Sequence, residues 1–176
     1  NSDLMRMLTQ EADMAGFAAS QPLIKKPGKK WSYSSGTTNI LSRILRHAIN
    51  DDQDYWAFPS RAFFAPLGMT TAVLESDNSG TLVGSSLAWA SGRDWARFGQ
   101  LYLDQGRWNG KQLLPANWVQ RARTASRGSK KGYGAHWWLS RRKSRPDLPN
   151  NSFSAEGYQG QLCLLYTSPS PRDRPL

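Results

Sequence analysis

Cysteine occurs once in the chain, at Cys163, and that scarcity removes two architectures together. A lone thiol forms no internal disulfide and cannot build the Cys-rich ligand sets that hold structural zinc. Histidine is nearly as rare. His47 and His136 stand far apart, and packing or surface exposure explains such isolated rings better than metal ligation. No metal or other cofactor is therefore expected. Long apolar runs are also missing: none approaches the roughly 20 residues that cross a bilayer as a helix, so no integral membrane segment is expected. No leader segment is visible, because the chain opens on Asn1 with a helical pattern already under way, as in the middle of a gene product.

Acidic residues are outnumbered, 13 against 23 Lys and Arg, for a formal charge of +10. That balance invites a nucleic-acid reading. The cations, however, fall into separate clusters: Lys25, Lys26, Lys29 and Lys30, then Arg127, Lys130 and Lys131, then Arg141, Arg142, Lys143 and Arg145. Aromatics do not interleave with them at a regular spacing, and no zinc-finger, homeodomain or RNA-recognition signature accompanies them. Solvated loop charge and no nucleic-acid partner are expected, with attraction of anionic substrates or surfaces as the alternative.

What is present is enough for one ordinary domain. The 176 residues include 39% apolar and 11% aromatic side chains, eight of them tryptophan, which can bury a core. Ser2 can cap a helix to about Ala19 with Leu4, Met7, Leu8, Ala12 and Ala15 on one face. From Thr38, the spacing of Ile40, Leu41, Ile44, Leu45, Ala48 and Ile49 predicts an amphipathic helix ending in "NDDQD". A short helix follows, with Pro59 near its first turn and Pro66 and Gly68 at its end. "TAVLESDNSGTLVGSS" reads as short extended pieces around an Asn78-Ser79-Gly80 turn.

Ser91 and Asp94 have capping-box spacing, and Trp95, Phe98, Leu101 and Tyr102 form the stripe of the helix they start, which Gly106 stops. "NGKQLLP" is a turn with a short extended piece, and Pro115 opens another helix to about Arg123. Tyr133, Ala135, Trp137 and Leu139 alternate with Gly134, His136 and Trp138 as in a strand, and "FSAEGYQGQL" reads as a second strand entered through glycines. The strands are too few to close a sheet. After Leu162 the character changes abruptly: "CLLYTSPSPRD" resembles the conceptual translation of a transposase-type sequencing adapter. Residues 163–176 are accordingly expected to be a non-native tail, the alternative being a strand "QLCLLY" with a Pro-rich terminus.

The stretch "KKWSYSSGTTN" presents Tyr33 and Ser35 at the mouth of a predicted helix. On the residues alone, a loop tyrosine packed on that helix with Ser35 as its cap accounts for them. The order Tyr33-Ser34-Ser35-Gly36, "PLGM", "ASGRDWARFGQLYLDQGRWNGKQLLPANWV", "YGAHWWL" and "AEGYQGQ" resembles the serine β-lactamase-related hydrolases. These include class C β-lactamases, DD-peptidases, family VIII carboxylesterases and 6-aminohexanoate-oligomer hydrolases. The resemblance runs along nearly all of residues 1–162. It implies an α+β fold, a helical subdomain with an incomplete antiparallel sheet, forming a partial β-lactamase/DD-peptidase-like domain. It also implies a small-molecule or peptide substrate and an exported protein.

The family places three elements around one cleft: Ser-x-x-Lys, Tyr-x-Asn/Ser and Lys/His-x-Gly. By resemblance, Tyr33 and Ser35 are the second, and Tyr158-Gln159-Gly160 takes the place of the third as a substrate-binding element. A phenol, with a free pKa of about 10, is a poor base near neutrality unless a nearby cation and the positive end of a helix favour its phenolate. So favoured, Tyr33 would take the proton of a nucleophilic serine and return it to the leaving group. Ser35 would hold the lysine or the substrate. The amide N–H of Gln161 would be an oxyanion donor, with Gly157 and Gly160 allowing close backbone approach. Tyr158 departs from the family pattern, putting an uncharged hydroxyl where a cation would face a substrate carboxylate. That favours an amide or ester over a carboxylate-bearing β-lactam.

The chain's Ser-x-x-Lys, Ser140-Arg141-Arg142-Lys143, follows a predicted strand in a charged loop and comes after Tyr33. It is read as coincidental, and the nucleophile and its lysine are expected upstream of Asn1. The resulting expectation is a serine hydrolase cleaving an amide, ester or peptide bond through an acyl-enzyme, with this stretch inactive and poorly stable by itself. A non-catalytic penicillin-binding-like module is the alternative.

Overall fold

The computed structural model describes residues 3–130, 132–139, 146 and 148–166. The expected Ser2 cap and the Ser140–Lys143 spacing lie outside the described residues. The chain divides into two units, Asn1–Asp94 and Trp95–Leu176.

In the first unit the single helix expected to reach Ala19 is two, α1 (Asp3–Gln10) and α2 (Met14–Ser20). The break has a clear cause. Asp13 caps α2 by accepting from the Gly16 amide at 2.7 Å, and the Met14 amide donates to the Asp77 carboxylate at 3.0 Å. Those N–H groups would otherwise continue one helix, and here a carboxylate distant in sequence takes one of them.

Helix α3 (Ser35–Ile49) starts three residues before the expected Thr38 and ends at Asn50 in the left-handed region. Its stripe is turned the other way from the sequence expectation. Leu41, Ile44 and Leu45 are exposed, whereas Asn39 is buried and Arg43 and Arg46 are half-buried. The polar face faces inward because it finds partners there. Arg43 pairs with Asp13, and Arg46 makes a two-pronged bond to Asp52 at 2.7 Å on each arm.

Helix α4 (Asp52–Pro59), capped by Asp51, occupies the expected "NDDQD" turn, so Pro59 stands at its end rather than near its start. A π-helical turn (Ser60–Phe64) and α5 (Ala65–Leu67) follow, closed by left-handed Gly68. Strands β1 (Val73–Leu74) and β2 (Ala88–Trp89) pair antiparallel. Between them a Ser76–Leu82 bridge closes the expected turn, with Gly80 at φ 84°. Tyr55 is fully buried and ties this loop to α3: its hydroxyl accepts from Leu82 N at 3.0 Å and donates to Ser42 O at 3.2 Å. Desolvation pushes its phenol up from the ordinary tyrosine value.

Helix α6 (Gly92–Leu103) carries the predicted stripe, with Leu101 and Tyr102 buried and Trp95 and Phe98 half-buried. Its capping box is routed through a third residue. Ser91 accepts from Asp94 N, but the Asp94 carboxylate takes the Thr71 amide and hydroxyl, and Thr71 in turn accepts from Ser91 N. Strands β3 (Arg107–Trp108) and β4 (Lys111–Gln112) form a hairpin around Asn109-Gly110, both at positive φ. Helix α7 (Ala116–Ala122) follows Pro115.

The alternating segment 133–139 is mostly a tight turn. Only β5 (Trp138–Leu139) is strand, Gly134 N donates to Trp137 O at 2.8 Å, and His136 has φ 65°. A Cβ at Gly134 would meet the Ala122 carbonyl oxygen at 1.9 Å, so the backbone there lies against α7. The turn drives Trp137 into the core, where it stacks on Phe98 and meets Tyr102 and Phe153, with centroids 4.7–5.5 Å apart. Strand β6 (Phe153–Glu156) pairs with β5 and with β7 (Leu162–Leu165), a three-stranded antiparallel sheet. The first three residues of the segment expected to be a tail, Cys163 to Leu165, belong to β7. Leu165 is buried, and the Cys163 thiol faces the Trp95 carbonyl at 3.7 Å.

Candidate active site

The first candidate group is built on the N-terminus of α3. Ser34, not Ser35, is the cap: its backbone is extended and its hydroxyl accepts from Thr37 N at 3.3 Å. Ser35 is the first helical residue and half-buried, and Tyr33, one step outside, is 56% exposed. The first turn holds no acidic residue and the last turn carries Arg46 and His47. No acidic residue of that first turn offsets the positive end of the helix dipole where Tyr33 and Ser35 lie, which favours an anion there.

Two residues that sequence reasoning missed fix this end in place. At Gly36, an added Cβ would lie 2.9 Å from the Ala18 Cβ and 3.8 Å from the Met7 sulfur, so α3 meets α2 at backbone range. Asn39, one turn on, is buried, directs its amide at the sulfurs of Met7 and Met14, and accepts from Ser85 N at 3.3 Å. A signal existed: an asparagine and a glycine interrupt the helical pattern on the side opposite Leu41 and Ile44. Beside Asn39, the hydroxyls of Ser85 and Ser86 are shielded from solvent without a hydrogen-bond partner.

The second group lies in the other unit, in the connection between β6 and β7. The sequence reading put Tyr158-Gln159-Gly160 on a strand, but they form a 3₁₀ turn between two paired strands, with Gln159 at φ 57° and Gly160 at φ 83°. The register pairs Glu156 with Leu162, which leaves five residues to reverse the chain. Gly157 N donates to Gln161 O at 2.8 Å and closes the loop. The Gln161 amide donates to Tyr158 O over 3.4 Å, a long contact that a better-placed oxygen could replace. Tyr158 is 88% exposed, and Gln159, Gly160 and Gln161 are exposed with it. Among the described residues no group of three or more His, Cys, Asp or Glu side chains could hold a metal, and no helix is long and apolar enough to cross a membrane.

Helices with small antiparallel sheets are the elements of a β-lactamase-like fold. The chain belongs to the Beta-lactamase family, whose model matches residues 1–168. Among solved structures it is similar to a protein from Bacillus anthracis, provisionally assigned as a 6-aminohexanoate-dimer hydrolase, at 26% identity and a TM-score of 0.68, over 83% of this chain and 38% of that one. It is similar in fold to a provisionally assigned beta-lactamase from Bacteroides dorei, at 18% identity and a TM-score of 0.65, over 87% of this chain and 51% of that one. The chain thus spans about half or less of the length of these relatives. No curated protein matches it.

Proposed function

We propose that this chain is part of a serine hydrolase that cleaves an amide, ester or peptide bond through an acyl-enzyme. One observation carries the reading: an exposed Tyr33 and a half-buried Ser35 stand at the N-terminus of a fifteen-residue helix whose first turn has no acidic residue. In the proposed reaction a serine hydroxyl attacks the substrate carbonyl while its proton passes to the Tyr33 oxygen. The tetrahedral oxyanion collects hydrogen bonds that include the Gln161 amide N–H. Tyr33 then returns the proton to the departing amine or alkoxide, and water repeats the sequence on the acyl-serine. Ser35 orients the lysine or the substrate, and Tyr158, Gln159 and Gly160 line the substrate. With Tyr158 where a cation would stand, the substrate is an uncharged ester or amide rather than a carboxylate-bearing β-lactam.

The serine and lysine of this scheme are assigned to sequence before Asn1, and the 176-residue chain is inactive alone. A hydrolysis panel tests this with a p-nitrophenyl ester, a short oligoamide and a chromogenic β-lactam. The expected result is no turnover by the 176-residue chain, and ester or amide turnover once an upstream Ser-x-x-Lys segment is joined to it. Turnover by the 176-residue chain would overturn the assignment. The proposed location is outside the cytoplasm, which a fractionation of the source cells would check.

A further inference from the structure

The segment between α2 and α3 is exposed from Gln21 to Lys30 without interruption. Its composition is unusual for a solvated loop. Leu23 and Ile24 are each 77% exposed, side by side, and four lysines follow within six positions: Lys25, Lys26, Lys29 and Lys30. Lys29 N donates to Lys26 O at 3.1 Å across left-handed Gly28, a turn that gathers the two lysine pairs at one tip. The chain carries no Asp or Glu at all between Asp13 and Asp51, so no carboxylate in this stretch offsets that charge. Arg6, Arg43, Arg46 and Arg61 pair with carboxylates, whereas among the described residues these four lysines form no ion pair.

Charge alone would suit any polyanion. Two adjacent, fully presented aliphatic side chains next to it have a use at only one kind of anionic surface, where they can leave water for the acyl boundary while the ammonium groups stay among headgroups. Pro22 and Pro27 bracket the apolar pair and the first lysines, which limits the conformational freedom lost on contact. We propose that the Leu23–Lys30 loop is a peripheral attachment site for an anionic lipid bilayer. A soluble polyanion, nucleic acid included, would leave Leu23 and Ile24 idle.

The test is cosedimentation of the full 176-residue chain with phosphatidylcholine vesicles, with and without phosphatidylglycerol, across a salt series. Binding to the anionic vesicles only is expected. A lysine near an anionic surface contributes about a fivefold change in partition, so Lys25→Gln/Lys26→Gln lowers it about 25-fold at low salt. Leu23→Ser/Ile24→Ser lowers it about tenfold or more, and this loss persists at high salt, where the charge term is screened. Far-UV circular dichroism confirms that the exposed-loop variants keep their fold. Equal partition onto neutral vesicles, or no partition at all, overturns the proposal. So does binding that ignores Leu23→Ser/Ile24→Ser and is matched by duplex DNA at the same salt.

Discussion

Asp77 gives the sharpest stability prediction. The side chain is 7% exposed and its two oxygens have separate duties. Oδ1 accepts from Ser79 N at 3.0 Å, Ser79 Oγ at 2.6 Å and Thr81 N at 3.0 Å, while Oδ2 alone accepts from Met14 N at 3.0 Å. Asp77→Ala strips the acceptor from two buried N–H groups, Met14 and Thr81, each costing about 1–3 kcal/mol when left unmade. The Ser79 groups are partly exposed and can turn to water, so the sum is about 4 kcal/mol. Asp77→Asn can keep its oxygen at the Oδ1 position but then points an NH₂ at the Met14 amide, donor against donor, for about 2 kcal/mol. With roughly 2–4 °C per kcal/mol at this size, the midpoints fall by about 12 °C and 6 °C. Thermal denaturation followed by both circular dichroism and tryptophan fluorescence reads the order. If Asp77→Ala is too unstable to purify, Asp77→Asn still tests the geometry. Equal effects of the two substitutions, or less than about 1 kcal/mol for Asp77→Ala, would refute the division of labour between the oxygens.

Gly36→Ala should destabilise by about 1–3 kcal/mol despite the helix propensity it gains, because its Cβ would fall 2.9 Å from that of Ala18. Adding Ala18→Gly should recover most of the loss, and additive effects in urea denaturation would contradict the contact. The Asp13 carboxyl is held below the usual carboxylate range, chiefly by its hydrogen bond from Arg43. A depressed folded-state value means stability present above the unfolded value of about 4 and lost as pH falls through the folded one. The side chain is 44% exposed, so the pair contributes at most about 1 kcal/mol. Asp13→Asn keeps the cap, and its stability gap to the wild type should narrow as pH falls from 6 to below about 4; a gap independent of pH would exclude the charge pair as its cause. Burial pushes the Cys163 thiol up. Ellman's reagent at pH 8 should react more slowly with the folded chain than with the chain in guanidinium, and equal rates would show the thiol uncovered.

Locally encoded elements were legible. The α6 stripe, the turn at Asn109-Gly110 and the Gly80 turn each follow from a few neighbouring residues. What was not legible depends on distant partners. Nothing near Asp13 announces that Asp77, 63 residues from Met14, takes that amide and splits the first helix. Alternation over Tyr133–Leu139 suits a strand, yet the Ala122 carbonyl beneath Gly134 imposes a turn. In α3 the pattern gave the helix but not its orientation, since Asn39, Arg43 and Arg46 find polar partners on the packed side. The site divides the same way. Motif order pointed to Tyr33, Ser35 and the Tyr158–Gln161 segment as candidates, while the cap moved to Ser34 and the presumed strand became a turn, because backbone pairing between β6 and β7 decides that conformation.

The central claim is that Tyr33 moves the proton during acyl transfer. Its most direct measurement is the pre-steady-state acylation rate with a p-nitrophenyl ester, for wild type and Tyr33→Phe, in a polypeptide that joins an upstream Ser-x-x-Lys segment to this chain. Loss of a proton shuttle predicts acylation slower by about 10²–10⁴-fold with substrate binding nearly unchanged. Acylation within about threefold of wild type would contradict the claim, and Tyr33 would then be a surface tyrosine at the mouth of α3.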